Sequence, residues 1–407
     1  MKRLFALLLA FTLLLPVFAS AELDEDDLDY EELIEDVDLD EEDPDEEGFD
    51  SAPVTDAEPL SEELRNELIA SLESADYVPK ELDNDNLYIN KNLPDNIINI
   101  LLIGVDTRND KLEENDVKLA DVQMILSLDP ANGSVKLSSI LRDTLVTNPF
   151  TGNVRPINQS YQSFDSNNVF HDNPQRSVAT INYNFEMNVQ YYVTINFRGV
   201  AAIVDKIGGI DLELTEGEAA NINYYLKKNA KSISRHYDTP EAKAARVELK
   251  VQDGVQHLDG LQALMYARLR QNKTRKKYNL GDDWQRTYRA RHLLDKLLQK
   301  VLSDLDIWAL ADLLDESIEY VNTNMDALYM GDLLFKMMGS GIVSKLGSSD
   351  SIIGQFRIPM GEASEGTKTW SYDSDTGKVF MSKRNGNFQK NIEALHEFIY
   401  GQYYPAK

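Results

Sequence analysis

Tyr191–Leu214 reads YYVTINFRGVAAIVDKIGGIDLEL, and its three pieces decide the class of fold. Tyr191–Asn196 alternates as a strand, Phe197–Ile207 carries apolar residues at helical spacing, and Ile210–Leu214 alternates again. The Gly208-Gly209 pair before the third piece is a helix stop signal. Strand, helix, glycines and strand form a βαβ-like unit, which predicts an α/β fold with a mixed sheet.

Upstream, Ile97–Val105 (IINILLIGV) is an unbroken apolar run, the pattern of a strand buried on both faces, with Asp106 just past its end. Val122–Leu128 and Val135–Ile140 follow as two strands around the turn Asp129-Pro-Ala-Asn-Gly133, with Asp121 just before the first. A helix is predicted around Arg176–Phe185. Downstream, Glu216–Lys250 is polar and gives no clear period. Asp259–Ala267 reads as a short helix delivering Arg268 and Arg270, and Trp284–Leu302 as a long one with apolar residues at Leu293, Leu294, Leu297, Leu298 and Val301. Residues 303–338 read as further helices, and a last helix is predicted near Asn391–Tyr400.

The N-terminus pairs Lys2 and Arg3 with the apolar run Leu4–Leu15, then Pro16 and the small-residue site Ala19-Ser20-Ala21. Residues 1–21 therefore read as a signal peptide, with an uncleaved signal anchor as the alternative. Both place the folded part outside the cytoplasmic membrane. Residues 22–60 hold 21 of the 69 acidic residues and no Lys or Arg, so most of the formal charge of −28 sits in a tail. That segment reads as an acidic disordered linker, because it repels itself and lacks apolar surface to bury. Residues 61–95 read as a short amphipathic helix and a lead-in. The chain has no cysteine, which excludes disulfides, thiolate metal sites, a cysteine nucleophile and lipidation at cysteine.

Two groups of residues carry chemistry. Asp106, Asp121, Arg142 and Asp143 fall at strand ends, the edge of an open α/β sheet where ligands collect. Carboxylates on neighbouring strand ends suit a hard divalent cation such as Mg²⁺. The second group is the basic run from Arg268 to Arg291, containing Arg268, Arg270, Arg286, Arg289 and Arg291 in an otherwise acidic protein. Guanidinium forks pair with phosphate oxygens, and Arg286 and Arg289 lie near a predicted helix N-terminus that also favours an anion. Mg²⁺ and arginines together suffice for phosphoryl transfer by positioning and electrostatics. No nucleic-acid partner is expected, since that binding needs cytoplasmic access and an accessible basic face, and this chain reads as exported and acidic.

These motifs occur in a fixed order: NILLIGVDTR, ADVQMILSLDP, LSSILRDTLV, RPIN, YYVTINFRGVAAIVDKIGGIDLEL, DGVQHLDGLQALMYARLR and GDDWQRTYRAR. In that order they resemble the LytR-CpsA-Psr family of cell-wall phosphotransferases, over about residues 96–302. The resemblance implies an α-β-α core, a mixed central sheet flanked by helices on both faces, with residues 303–407 as a helical C-terminal extension packed on it. It implies transfer of a glycan, with its phosphate, from a polyprenyl-pyrophosphate lipid to a peptidoglycan hydroxyl. That chemistry would occur at the outer face of the cytoplasmic membrane or in the wall of a Gram-positive-type bacterium. Lipid-pyrophosphate hydrolysis and non-catalytic binding of lipid carriers or wall polymers are the alternatives.

Carried over by motif, Asp106 and Asp121 would hold Mg²⁺, with Mn²⁺ as a substitute. Arg142, Arg155, Arg268, Arg270, Arg286 and Arg289 would hold pyrophosphate. Arg142, Asp143 and Asp283 would be the catalytic residues, Asp143 or Asp283 taking the acceptor proton. The chain departs from the family pattern at Lys118-Leu119-Ala120, where an Arg usually precedes the second metal Asp. It departs again at Arg155-Pro156-Ile157-Asn158, where the family has Lys-Ile-Asn, and at Ala290, where a Gln is usual. A lipid tail also asks for an apolar groove; Ile203, Val204, Leu261, Leu264 and Met265 are candidates, against ordinary core packing.

Overall fold

The apolar run before Asp106 forms β1 (Ile98–Val105), and every residue after Ile98 in it is buried. The turn at residues 130–133 joins β2 (Ala120–Asp129) to β3 (Ser134–Ile140) as an antiparallel hairpin. This computed structural model describes residues 82–105, 119–164, 170–233, 247–269, 278, 280, 283–304, 321–326, 329–330, 332–333, 336–337, 340, 353–360, 371–373, 378–380 and 387–406. The predicted signal segment, the acidic linker and the helix after Ser61 lie outside these residues.

Two small hairpins follow, β4 (Leu145–Thr147) with β5 (Val154–Pro156), and β6 (Gln162–Phe164) with β7 (Phe170–Asp172). Next come α1 (Pro174–Phe185), β8 (Tyr191–Asn196), α2 (Phe197–Lys206), β9 (Ile210–Leu214) and α3 (Glu216–Ile233). The chain continues through β10 (Gly254–Leu258), α4 (Gly260–Arg268), α5 (Asp283–Asp304), β11 (Val321–Thr323) and β12 (Gly354–Ile358). It ends with β13 (Ser371–Asp373), β14 (Lys378–Phe380) and α6 (Asn387–Tyr400).

The central sheet has the order β11-β8-β1-β2-β3-β12. β1 runs parallel to β8, and β3 to β12, while β1/β2, β2/β3 and β8/β11 are antiparallel. It is the mixed sheet the sequence predicts. β1 explains why the sheet must be covered twice. Ile100 and Leu102 join a cluster with Ala201 and Val204 of α2, Leu261 and Leu264 of α4 and Leu293 and Leu297 of α5. Leu101 and Ile103 point the other way, into a cluster with Val178, Ile181 and Phe185 of α1 and Ile392, Leu395 and Ile399 of α6. Each such side chain contributes about 1.5–3 kcal/mol by leaving water, which only helices on both faces can supply.

Two expectations change. β9 does not join the central sheet; it pairs antiparallel with β10 in a separate two-stranded sheet. Its residues alternate buried and exposed, the pattern of a strand with one wet face, whereas central β1 is dry on both. Gly208 and Gly209 make the diversion possible, at φ +77° and +78°. A Cβ on Gly209 would also lie 2.3 Å from the His257 ring of β10. The stretch from 303 to 338, read as helical, contributes β11, and residues beyond 302 supply both outer strands of the sheet.

Helix ends follow local chemistry. Asn196 caps α2 by accepting from the Gly199 N–H at 2.9 Å. Asp259 and Gln262 form a reciprocal capping box at α4. The five apolar residues named as groove candidates are all buried in the cluster that joins β1 to α2, α4 and α5, so they are core. No helix among the described residues is long and apolar enough to cross a membrane.

Candidate functional site

β1 and β2 are in register up to Gly104, where the pairing shifts and Val105 meets Ala120. The shift brings Asp121 to the sheet edge, with its side chain 4% exposed. β3 ends one strand over, and the backbone turns sharply: the Leu141 N–H donates to Ile358 and the Thr144 N–H to Leu141, each at 3.0 Å. That turn aims Arg142 back at β2. Its Nη1 lies 3.3 Å from Asp121 Oδ1, and its Nε 3.4 Å from Asp143 Oδ2. One guanidinium between two carboxylates leaves the corner with a formal charge of about −1.

The floor below is held rigidly. The Asn158 N–H donates to the Arg142 carbonyl at 3.1 Å, and the Ile157 N–H to Thr144 at 2.9 Å. Gln123 on β2 donates to the Ile157 carbonyl at 2.9 Å and to Ser160 at 3.0 Å, fixing the 3₁₀ turn Ile157–Tyr161 beneath the corner. Arg155 is exposed on β5, at the wall of a cavity of about 400 Å³ that this turn also lines.

The basic run divides. Arg268 ends α4 and is half-buried; Arg286 is buried on α5, which packs against α4. Asp283 opens α5. Arg270 and Asp106 lie outside the described residues. Arg289 turns inward: its Nε meets Glu218 Oε1 at 2.5 Å, Nη1 donates to the Leu269 carbonyl at 2.8 Å and Nη2 to the Leu280 carbonyl at 2.5 Å. Glu218 is fixed in turn, since its Oε2 accepts from the Thr215 N–H at 3.0 Å and completes the cap of α3. Arg289 therefore clamps both ends of the segment between Leu269 and Leu280, and three of its five donors serve the fold.

Arg291 is also buried. It donates to Gln355 at 2.9 Å and to Ser139 of β3 at 2.8 Å. Burial, followed by the nearby Arg357 charge, pushes its pKa down to about 10, so it remains cationic at neutral pH. Ala290 is fully buried in the cluster that joins β1 to α2, α4 and α5, so α5 turns that position into the core. Sequence reasoning missed Arg357 and the cavity's second arginine, Arg176, because each stands alone in the sequence without a charge pattern around it.

The metal question turns on the same corner. No group of three His, Cys, Asp or Glu able to hold a metal occurs among the described residues. Mg²⁺ asks for less: one or two carboxylates, with water and substrate oxygens completing its shell. Asp121, buried and oxygen-only, beside Asp143 in a corner of residual negative charge, fits that demand.

A mixed sheet covered by helices on both faces, with an Asp–Arg–Asp corner at its edge, defines an α/β protein. The chain belongs to the LytR_cpsA_psr family, whose profile matches residues 69–385. A relative from Bacillus mycoides strain KBAB4, the polyisoprenyl-teichoic acid–peptidoglycan teichoic acid transferase TagU, is 27% identical over 236 residues, 58% of this chain and 63% of that protein. The corresponding transferase TagV of Bacillus subtilis strain 168 is 26% identical over 257 residues, 63% of this chain and 56% of that one. The match thus spans less than two thirds of either relative's length. A solved Streptococcus agalactiae protein shares the fold with a TM-score of 0.52 at 19% identity, covering 76% of this chain and 89% of that one.

Proposed function

We propose that this protein is a phosphotransferase that moves a glycan, with its phosphate, from a polyprenyl-pyrophosphate lipid to a peptidoglycan hydroxyl. The observation that carries the reading is the Asp121–Arg142–Asp143 corner at the sheet edge. Family membership and relatives named as teichoic acid transferases support it. The acceptor hydroxyl attacks the glycan-bearing phosphorus, the bridging P–O bond breaks, and polyprenyl phosphate leaves with the electron pair. The acceptor proton passes to a carboxylate, Asp143 or Asp283.

Arg142 engages pyrophosphate, with Arg155, Arg268, Arg270 and Arg286 neutralising the remaining charge. Mg²⁺, or Mn²⁺ in its place, would be held by Asp121 and Asp106 and would supply charge neutralisation at the phosphate. Such chemistry belongs outside the cytoplasmic membrane, at its outer face or in the wall of a Gram-positive-type bacterium.

The test incubates the full chain in detergent with a polyprenyl-pyrophosphate glycan, Mg²⁺ and peptidoglycan, and follows glycan-phosphate on the wall and polyprenyl phosphate released. Arg142→Ala should slow transfer by roughly 10²–10³-fold, the scale for losing one group that stabilises transition-state charge. Absence of transfer with either metal defeats the reading. Phosphate release that needs no acceptor identifies a hydrolase instead.

A further inference from the structure

The cavity beside the corner is unlike the rest of this acidic chain. Arg155 and Arg176 line it together with amides such as Asn148, Asn153 and Gln159; no Asp or Glu does so among the described residues. Its volume of about 400 Å³ falls in the ~300–1,000 Å³ range of small-ligand sites. Two buried polar atoms of its lining residues, Thr180 Oγ1 and Arg176 Nε, have no hydrogen-bond partner among the described residues. Thr180 is 1% exposed, so its hydroxyl is buried within a residue that lines the cavity.

Aromatic rings stand beside Arg176. The Arg176 guanidinium lies 5.3 Å from the Phe150 ring centroid. Phe150 and Tyr183 flank Tyr88 edge-on, at 6.2 and 5.3 Å, and all three are exposed. The same 3₁₀ turn that holds the Arg142 backbone also forms part of the cavity wall.

We infer that this cavity is a saccharide subsite for an anionic sugar, one bearing a carboxylate or a phosphate. The Arg176 guanidinium takes the acid, the amides and hydroxyls take the sugar's hydroxyls, and Phe150 beside Arg176 covers a ring face. The source of that sugar, donor glycan or acceptor strand, rests on the transfer reading; binding itself does not.

The test titrates the full chain with the disaccharide N-acetylglucosaminyl-N-acetylmuramic acid, with cellobiouronic acid, and with neutral N,N′-diacetylchitobiose. Acidic disaccharides should bind saturably and at least tenfold more tightly than the neutral one. Arg176→Gln should remove that preference while leaving the urea midpoint unchanged, and Thr180→Val should weaken binding as a second, uncharged probe. Equal binding of acidic and neutral sugars, or a preference that survives Arg176→Gln, overturns the subsite. In the transfer assay Arg176→Gln should raise KM for one substrate with little change in kcat. A rise for the lipid donor assigns the sugar to the donor, a rise for peptidoglycan assigns it to the acceptor, and no rise in either overturns the inference. A parent protein that binds acidic disaccharides yet transfers nothing defeats the transfer reading and leaves the subsite standing.

Discussion

Replacing Arg289 with alanine separates two roles that an arginine in a basic run can have. The guanidinium and Glu218 are nearly dry, with side chains 5% and 12% exposed, and the two carbonyls it holds belong to Leu269 and Leu280. Arg289→Ala strands a buried carboxylate, which costs about 3–5 kcal/mol, and frees two carbonyls that water partly repairs. For a domain of this order each kcal/mol lowers Tm by roughly 2–4 °C, so a fall on the order of 10 °C is expected. Arg289→Lys keeps the charge but not the fork, and should recover only part of the loss. Glu218→Gln combined with Arg289→Met removes both charges together and should be less damaging than Arg289→Ala alone. The assay is equilibrium urea unfolding followed by circular dichroism, beside a binding titration with inorganic pyrophosphate. A change of less than about 1 kcal/mol, coupled to complete loss of pyrophosphate binding, would refute the clamp and return Arg289 to the ligand.

Other consequences can be measured directly. Gly260→Ala drives a Cβ to 2.0 Å from the Ala201 carbonyl oxygen, a backbone contact between α4 and α2 that cannot swing away; an overpacking loss of about 1–3 kcal/mol or more should appear in urea melts. Asn196→Ala removes the cap of α2 and should cost about 1 kcal/mol by the same measure. His396 is fully buried, its Nε2 facing the Phe185 carbonyl and its Nδ1 the Tyr404 N–H, and burial lowers its pKa. The unfolded chain then takes up this proton first, so stability should fall as pH drops from about 6.5 through the lower folded value. His396→Gln should flatten that part of the pH–stability curve. Asp121→Asn should abolish any Mg²⁺ stimulation of transfer while leaving the far-ultraviolet spectrum unchanged.

Much of this architecture is legible in local patterns. β1, β2, β3, β8 and α2 announce themselves because burial on both faces demands unbroken apolar runs and turns demand Asn, Asp or Gly. β9 was legible as a strand but not as a hairpin partner, since its pairing with β10 depends on where the two glycines send the chain. β11 has three residues, and β12 pairs with β3 from more than 200 residues away, so no neighbouring residue signals either. At the site, Asp121 and Arg142 could be placed from strand ends alone. Arg289 could not, because a sequence shows the same arginine whether its fork faces water or two carbonyls. Arg176 escaped for a related reason: a single arginine in the first turn of a helix acquires meaning only when a cavity forms around it.

The two outermost strands of the sheet also set an order of assembly. A chain made from its N-terminus first can form β1, β2, β3 and β8 early, but this four-strand ribbon has raw edges along β3 and β8, rows of unpaired backbone groups able to recruit a neighbouring chain. Only the arrival of β11 and β12 closes them, and both pairings span long sequence separations that form slowly. The final quarter of this polypeptide thus works as a pair of end-pieces fitted last, and a chain stopped at residue 302 would lose both the strands that pair these edges and the Ile358 carbonyl that holds the turn before Arg142.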